Sequence, residues 1–227
     1  MRTLIVIPAF NEFDNLKELL PILREQTQAD ILIVNDCSTD NTAQVANDFD
    51  IHCLTLPLQL GAWGATQTGI RYALAHQYDQ VITMDADGQH APEDIHLLQK
   101  TFNTTQSHVV IGTDIERLSR AKMLAWRFFK SLTRLKIEDL TSGFRLYDAQ
   151  AIQLLASKSA SLLDYQDVGV LLLLNKAGLT VAEVPVKMRH RGDGKSRVFS
   201  SWWVVFKYMV QTTTLCIAKI GKRKTAL

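Results

Sequence analysis

Asp85 and Asp87 stand two residues apart at the end of a short apolar run, Val81-Ile82-Thr83-Met84-Asp85-Ala86-Asp87-Gly88-Gln89-His90. If the run is a strand, alternation sets both carboxylates on one side of its carboxyl end. Two carboxylates there make a hard-oxygen site suited to Mg²⁺ or Mn²⁺, cations that bind phosphates alongside protein oxygens. Gln89 and His90 add two further potential ligands, and Gly88 allows a sharp turn or a close approach to a ligand. The plainer reading is a polar strand end that caps a surface turn. The surrounding elements decide between the two.

Residues 3–8 are continuous, β-branched and ended by Pro8, which predicts a buried parallel strand with Ala9-Phe10-Asn11-Glu12 at its carboxyl end. Leu16, Leu19, Leu20 and Leu23 recur at helical spacing and predict a helix over about 14–27. Residues 30–34 repeat the strand signal and run into Asn35-Asp36-Cys37-Ser38-Thr39-Asp40. Ser38, Thr39 and Asp40 are all of a type that caps a helix starting near 41. A third strand is predicted at 51–56, a helix from Gly61 to about Tyr78, and a strand at 80–84 leading to the two acids. This alternation predicts an α/β fold with a mostly parallel sheet. Ligands of such sheets bind at the strands' carboxyl ends, where strand order reverses. Asp36, Asp85 and Asp87 all fall at such ends.

A helix near 92–103 and a strand at 109–113 follow. Arg117, Arg120, Lys122, Arg127, Lys130, Arg134 and Lys136 then interleave with Leu, Trp and Phe. Two readings stand: a helix with a solvated basic face, or a contact with an anionic lipid surface. Thr141 to Tyr147 is strand-like behind the acidic pair Glu138-Asp139. Helices are predicted near 149–156 and 165–177, with a strand over Val181 to Val186. Residues 189–197 form a glycine-containing cationic loop suited to an anion, or else a plain surface loop. The segment 198–220 carries Trp202, Trp203, Phe206 and Tyr208 ahead of Lys219, Lys222, Arg223 and Lys224. It suits a helix lying in a membrane interface, or one packed on the domain or a dimer partner.

The 227 residues suit one domain with a short C-terminal appendage, and 47% hydrophobic content is ample for a core. A net charge of +2 says little about partners, and no nucleic-acid partner is expected. Cys37, Cys53 and Cys216 show no disulfide or metal spacing, which fits a reducing compartment. Leu4 to Ile7 is too short for a signal h-region, and no apolar stretch reaches the roughly 18 residues of a transmembrane helix. The expectation is a cytoplasmic protein, at most peripheral on a membrane, of open oligomeric state.

The segments Ile7 to Glu12, Val34 to Asp40, Gly61 to Gly69, Met84 to His90, Thr141 to Arg145 and Gly194 to Arg197 occur in an order that resembles the family 2 glycosyltransferases. Within that family the chain resembles the dolichyl-phosphate mannose synthase-like group, which moves a sugar to a polyprenyl phosphate. The resemblance implies a GT-A-type nucleotide-sugar-binding domain over 1–197, a mostly parallel sheet flanked by helices, and an amphipathic helical tail over 198–227. By position, it implies that Pro8, Phe10 and Glu12 contact the nucleotide and that Asp36 lies near base and ribose. Asp85 would face the nucleotide sugar, with Ala86 beside it. Asp87 and Gln89 would hold a Mg²⁺ or Mn²⁺ that bridges to the diphosphate. Arg117 matches a family arginine near the donor and acceptor phosphates, and Arg197 a basic residue that closes over the diphosphate. Phe10 stands where Tyr is common, Asn35 replaces an acid, and Cys37 replaces a small Gly. The Gln-x-x-Arg-Trp motif of processive synthases is absent, so a single transfer is expected.

An anionic phosphate acceptor needs positioning rather than a base. A sugar-hydroxyl acceptor, the alternative, needs a carboxylate base, for which Asp139 and Asp167 are the candidates. A reading of another class is a nucleotide-sugar-binding protein without turnover.

Overall fold

The computed structural model describes residues 1–114, 135, 137–163, 168–189 and 213. Arg117, Asp167, Arg197 and the other basic residues of 117–136 lie outside the described residues. So do residues 190–197 of the cationic loop and, Thr213 apart, the whole segment 198–227.

Strands β1 (Thr3–Ala9), β2 (Asp30–Asn35), β3 (His52–Thr55) and β4 (Gln80–Thr83) alternate with helices α1 (Phe13–Gln26), α2 (Thr42–Asp48) and α3 (Gly61–Ala75). A 3₁₀ turn, Pro92–Asp94, leads into α4 (Ile95–Thr105), followed by β5 (Val109–Thr113). Then come β6 (Arg145–Asp148), α5 (Ala149–Leu155), a 3₁₀ turn at Ala160–Leu162, α6 (Val168–Lys176) and β7 (Val181–Pro185). One seven-stranded sheet has the order β3-β2-β1-β4-β6-β5-β7. β1 pairs in parallel with β2 and β4, β2 with β3, and β5 with β7.

β6 runs antiparallel to both β4 and β5. That reversal has a functional result. Its first residue, Arg145, pairs with Thr83 and Ile111 near the carboxyl ends of their strands. The loop that precedes β6 therefore emerges beside the loop that follows β4.

Alternation along β1 splits the core. Leu4 and Val6 join α3, α5 and α6 on one face, while Ile5, Ile7 and Ala9 join α1, α2 and α4 on the other. Because both faces are covered, the central strands read as continuous apolar runs. Each such fully buried side chain contributes roughly 1.5–3 kcal/mol.

β4 ends at Thr83, one residue short of the expected strand, although Met84 N–H still donates to the Val6 carbonyl (3.1 Å). Asp85 and Asp87 thus sit on the turn beyond the strand, and the period-two argument for their shared side does not apply. The expected helix near 92–103 begins as a 3₁₀ turn with Pro92 in its first position. Of the strand-like stretch 141–147, only Arg145 onward is strand.

Candidate active site

Strand order reverses between β1 and β4: β2 and β3 lie to one side of β1, and the remaining strands follow β4 on the other. The loops after β1, β2 and β4, and the loop before β6, meet at this edge.

The first two loops are stitched together. Asn11 N–H donates to Ser38 Oγ (2.9 Å), and Thr39 N–H returns to Asn11 Oδ1 (2.8 Å). Glu12 N–H donates to Thr42 Oγ1 (2.9 Å), and the buried Glu12 carboxylate accepts from the Asn15 amide. Asp40 serves two helices: Oδ2 accepts the N–H of Phe13 at the start of α1 (3.2 Å), and Oδ1 that of Thr42 at the start of α2 (2.9 Å). Burial would raise the Asp40 pKa, but the bonds from the Thr42 hydroxyl and from the backbone N–H groups of Thr42 and Phe13 leave it below its ordinary 3.8. Cys37 has φ of +61°. The left-handed region explains why a small Gly suits this position, and for Cys it costs roughly 1–2 kcal/mol.

Pro8 and Phe10 lie half-buried at the end of β1. Asp36 is almost wholly buried. Its N–H donates to Ala9 O (2.8 Å), Oδ1 accepts Leu60 N–H (2.6 Å) and Oδ2 accepts Gly61 N–H (2.8 Å). The carboxylate thereby caps the start of α3 and satisfies donors that a helix cannot satisfy itself. Asn35 Oδ1 accepts Ser38 N–H (3.0 Å) and its amide nitrogen reaches Thr55 Oγ1 (3.3 Å).

The turn after β4 holds the two acids. Ala86 is buried, while Asp87 and Gln89 are half-buried on either side of Gly88, whose φ is +73°. Gln89 N–H donates to Asp87 Oδ1 (3.1 Å), which draws the two proposed ligands into one turn. The Asp85 side chain is 48% exposed. Its carboxylate lies against Gly143, where an added Cβ would come within 2.8 Å of both oxygens. Thr83 Oγ1 fixes that approach by donating to the Gly143 carbonyl (2.6 Å).

His90, read from sequence as a further ligand, turns inward instead. It is 4% exposed, its ring stacks on Phe144 (5.2 Å between centroids), and Nδ1 accepts Asp85 N–H (3.0 Å).

The donor set fits a hard divalent cation: a carboxylate and an amide oxygen on one accessible turn, with Asp85 adjacent. Among the described residues no three His, Cys, Asp or Glu side chains form a metal cage. Two protein oxygens suit an ion that completes its shell with diphosphate and water.

Asp139 is buried. Its Oδ1 accepts Thr141 N–H (2.8 Å), Thr141 Oγ1 (3.3 Å) and Ser142 N–H (3.0 Å), so the carboxylate shapes the turn that delivers Gly143. Arg145, wholly buried, closes the same turn: Nε donates to Ser142 O (2.7 Å) and Nη2 to Leu140 O (3.1 Å), while Nη1 has no hydrogen-bond partner among the described residues. Glu183 on β7 accepts the N–H groups of Glu138 (2.8 Å) and Asp139 (2.9 Å). Burial foremost, with the nearby Glu138 and Asp139 charges, pushes its pKa up against the lowering effect of those bonds.

Past β7, Lys187 N–H is held by Asp94 (3.1 Å), Met188 N–H by Asp114 (3.0 Å), and Arg189 N–H by the Gln89 carbonyl (2.8 Å). Arg189 also pairs with Glu93 (3.1 Å). Arg189, where the cationic segment begins, is thus tied to the acid-bearing turn. Sequence reading missed Glu183 and the Arg189–Glu93 pair; a lone acid within Val181-Ala182-Glu183-Val184 was the available signal for the first.

The model of the family described as glycosyl transferase family 2 matches residues 4–152. An undecaprenyl-phosphate mannosyltransferase from Micrococcus luteus is 29% identical over 217 residues, 87% of this chain and 88% of that protein. A polyprenol monophosphomannose synthase from Mycolicibacterium smegmatis is 25% identical over 88% of this chain and 82% of its own. A UDP-N-acetylglucosamine–dolichyl-phosphate N-acetylglucosaminyltransferase from Methanococcus voltae is 26% identical over 81% and 84%. Glucosyl-3-phosphoglycerate synthase from Mycobacterium tuberculosis, solved with Mn²⁺, UDP and phosphoglyceric acid, superposes with a TM-score of 0.76 at 17% identity, covering 99% of this chain and 80% of that one. At that identity the likeness speaks for the fold, which is GT-A. The family model spans the first strand to the helix after β6, and the chain belongs to glycosyl transferase family 2 and is a glycosyltransferase.

Proposed function

We propose that the protein transfers one sugar from a nucleoside-diphosphate sugar to a polyprenyl phosphate, with inversion and with a Mg²⁺ or Mn²⁺ held by Asp87 and Gln89. The relatives named for polyprenyl-phosphate acceptors, matched over most of both lengths, support the acceptor class. In this chain the observation that carries it is Asp139. Of the two candidate bases for a hydroxyl acceptor, Asp167 lies outside the described residues, and Asp139 is buried with its Oδ1 taking three bonds from its own turn. A phosphate acceptor is already anionic and asks only to be held in place.

In this reading Asp85 faces the donor sugar, and Pro8, Phe10, Glu12, Asp36 and Ala86 border the nucleotide. The acceptor phosphate oxygen bonds to the anomeric carbon as the bond from that carbon to the diphosphate breaks. The divalent ion, when bound, offsets the charge that gathers on the departing diphosphate. Arg117 and Arg197 orient the phosphates, a task for which a bidentate guanidinium is suited. The Mn²⁺ named with the solved neighbour supports the metal assignment. We further propose that the segment 198–227, outside the described residues but for Thr213, makes the contact with the membrane that presents the acceptor.

The test is a donor screen with GDP- and UDP-sugars, an undecaprenyl or dolichyl phosphate, and Mn²⁺ or Mg²⁺. We expect release of the nucleoside diphosphate together with a lipid-linked sugar. Chelation abolishes both, and Asp87→Ala lowers turnover on the order of 100-fold or more. Asp139→Asn keeps the Oδ1 acceptor and retains activity within about threefold, because no proton passes through it. Turnover on sugar hydroxyls but not on lipid phosphates, with Asp139→Asn inactive, overturns the acceptor assignment.

A further inference from the structure

His90 sits one residue from Gln89 and five from Asp85, yet its imidazole faces away from solvent. Nδ1 accepts the Asp85 N–H at 3.0 Å. A ring nitrogen that accepts carries no proton, so in the neutral ring the proton is on Nε2. That nitrogen lies 3.7 Å from Asp85 Oδ2, longer than a hydrogen bond but within electrostatic reach. The Phe144 ring, stacked at 5.2 Å and 19°, keeps the imidazole from turning. Phe144 is also the neighbour of Gly143, against which the Asp85 carboxylate rests. One side chain thus touches both ends of Asp85, main chain and carboxylate, and the element carrying Gly143 closes the other side.

We propose that His90 is a positioning residue for Asp85: its imidazole, fixed as the Nε2–H tautomer, sets where the donor-facing carboxylate points. This rests on the reading of Asp85 as the carboxylate that meets the nucleotide sugar. It gives His90 no contact with the metal and no proton transfer. A carboxylate displaced by about 1 Å loses on the order of 100-fold in rate, so preorganisation at this level matters to turnover.

Two variants separate positioning from packing. His90→Phe keeps the volume and the stack on Phe144 but offers no acceptor. His90→Asn is smaller yet places an amide oxygen near the position of Nδ1. We expect His90→Phe to lower kcat on the order of 10- to 100-fold with donor KM changed less than about threefold, and His90→Asn to recover most of the loss. A packing residue gives the reverse order, Phe tolerated and Asn impaired, and that order overturns the proposal. A second readout does not depend on turnover. Nitrogen-15 spectra of the histidine side chains in the resting, metal-free protein at a single neutral pH report the tautomer. A protonated Nε2 with a bare Nδ1 at His90 supports the proposal. A protonated Nδ1 overturns it, even if no donor in the screen is turned over, an outcome that would itself count only against the proposed reaction.

Discussion

The Asp85 carboxylate lies on the α-carbon of Gly143, and the fit leaves no room for a methyl group. The clash is with the far end of a half-exposed side chain, so the cost falls on aim more than on folding. Gly143→Ala is therefore expected to lower kcat on the order of 10- to 100-fold. Stability should change by no more than about 1–3 kcal/mol; steady-state kinetics beside a melting curve checks both. A variant of normal activity would mean that the carboxylate's direction is immaterial. Both residues were visible in the sequence as members of motifs, but their contact was not. It joins positions 85 and 143 through the register of β4 with β6, and nothing local encodes that register. His90 was visible by type and misread by direction. The strand stops at Thr83, and side-chain direction on a turn does not follow strand alternation.

At the scale of elements, Asp40 ties the starts of α1 and α2 to each other. Asp40→Ala should cost about 1 kcal/mol, the low end for a lost cap because the side chain is exposed. The pH dependence has a definite sign. The folded pKa is lowered, so the capping contribution is present above the unfolded value of 3.8 and is lost as pH falls through the folded one. The gap between wild type and variant should close in acid, as denaturant midpoints from pH 7 down to 3 would reveal. Sequence reading placed cap-forming residues here but not their partners. Asn41 occupies the position before α2 and makes no side-chain cap, while Ser38 holds Asn11 and Asp40 reaches across to α1. The strands β1, β2 and β4 were legible because cover on both faces leaves an unbroken apolar run. The direction of β6 was not, since an apolar pattern reads the same both ways.

Across the whole molecule, loops as distant in sequence as residues 9–12 and 186–189 converge on one edge of the sheet. α/β alternation made that edge predictable; the antiparallel strand that brings residues 139–144 to it was not. No helix among the described residues is long and apolar enough to cross a membrane. The lipid contact proposed for the segment 198–227 has a direct test. The full chain should float with vesicles containing anionic lipid, and a 1–197 truncation should stay in the dense fractions. Equal behaviour of the two would refute that assignment.

The inserted strand has one more result. The chain leaves the sheet at Thr113 and re-enters at Arg145, and Ile111 and Arg145 are paired neighbours. Ahead of that re-entry, Gly143 reaches the rim and meets the Asp85 carboxylate. The returning part of the chain is anchored, with Leu135, Ile137 and Leu140 in one hydrophobic layer and Phe144 in the other. A substitution that loosens this returning stretch is therefore felt at Asp85, which Gly143 backs.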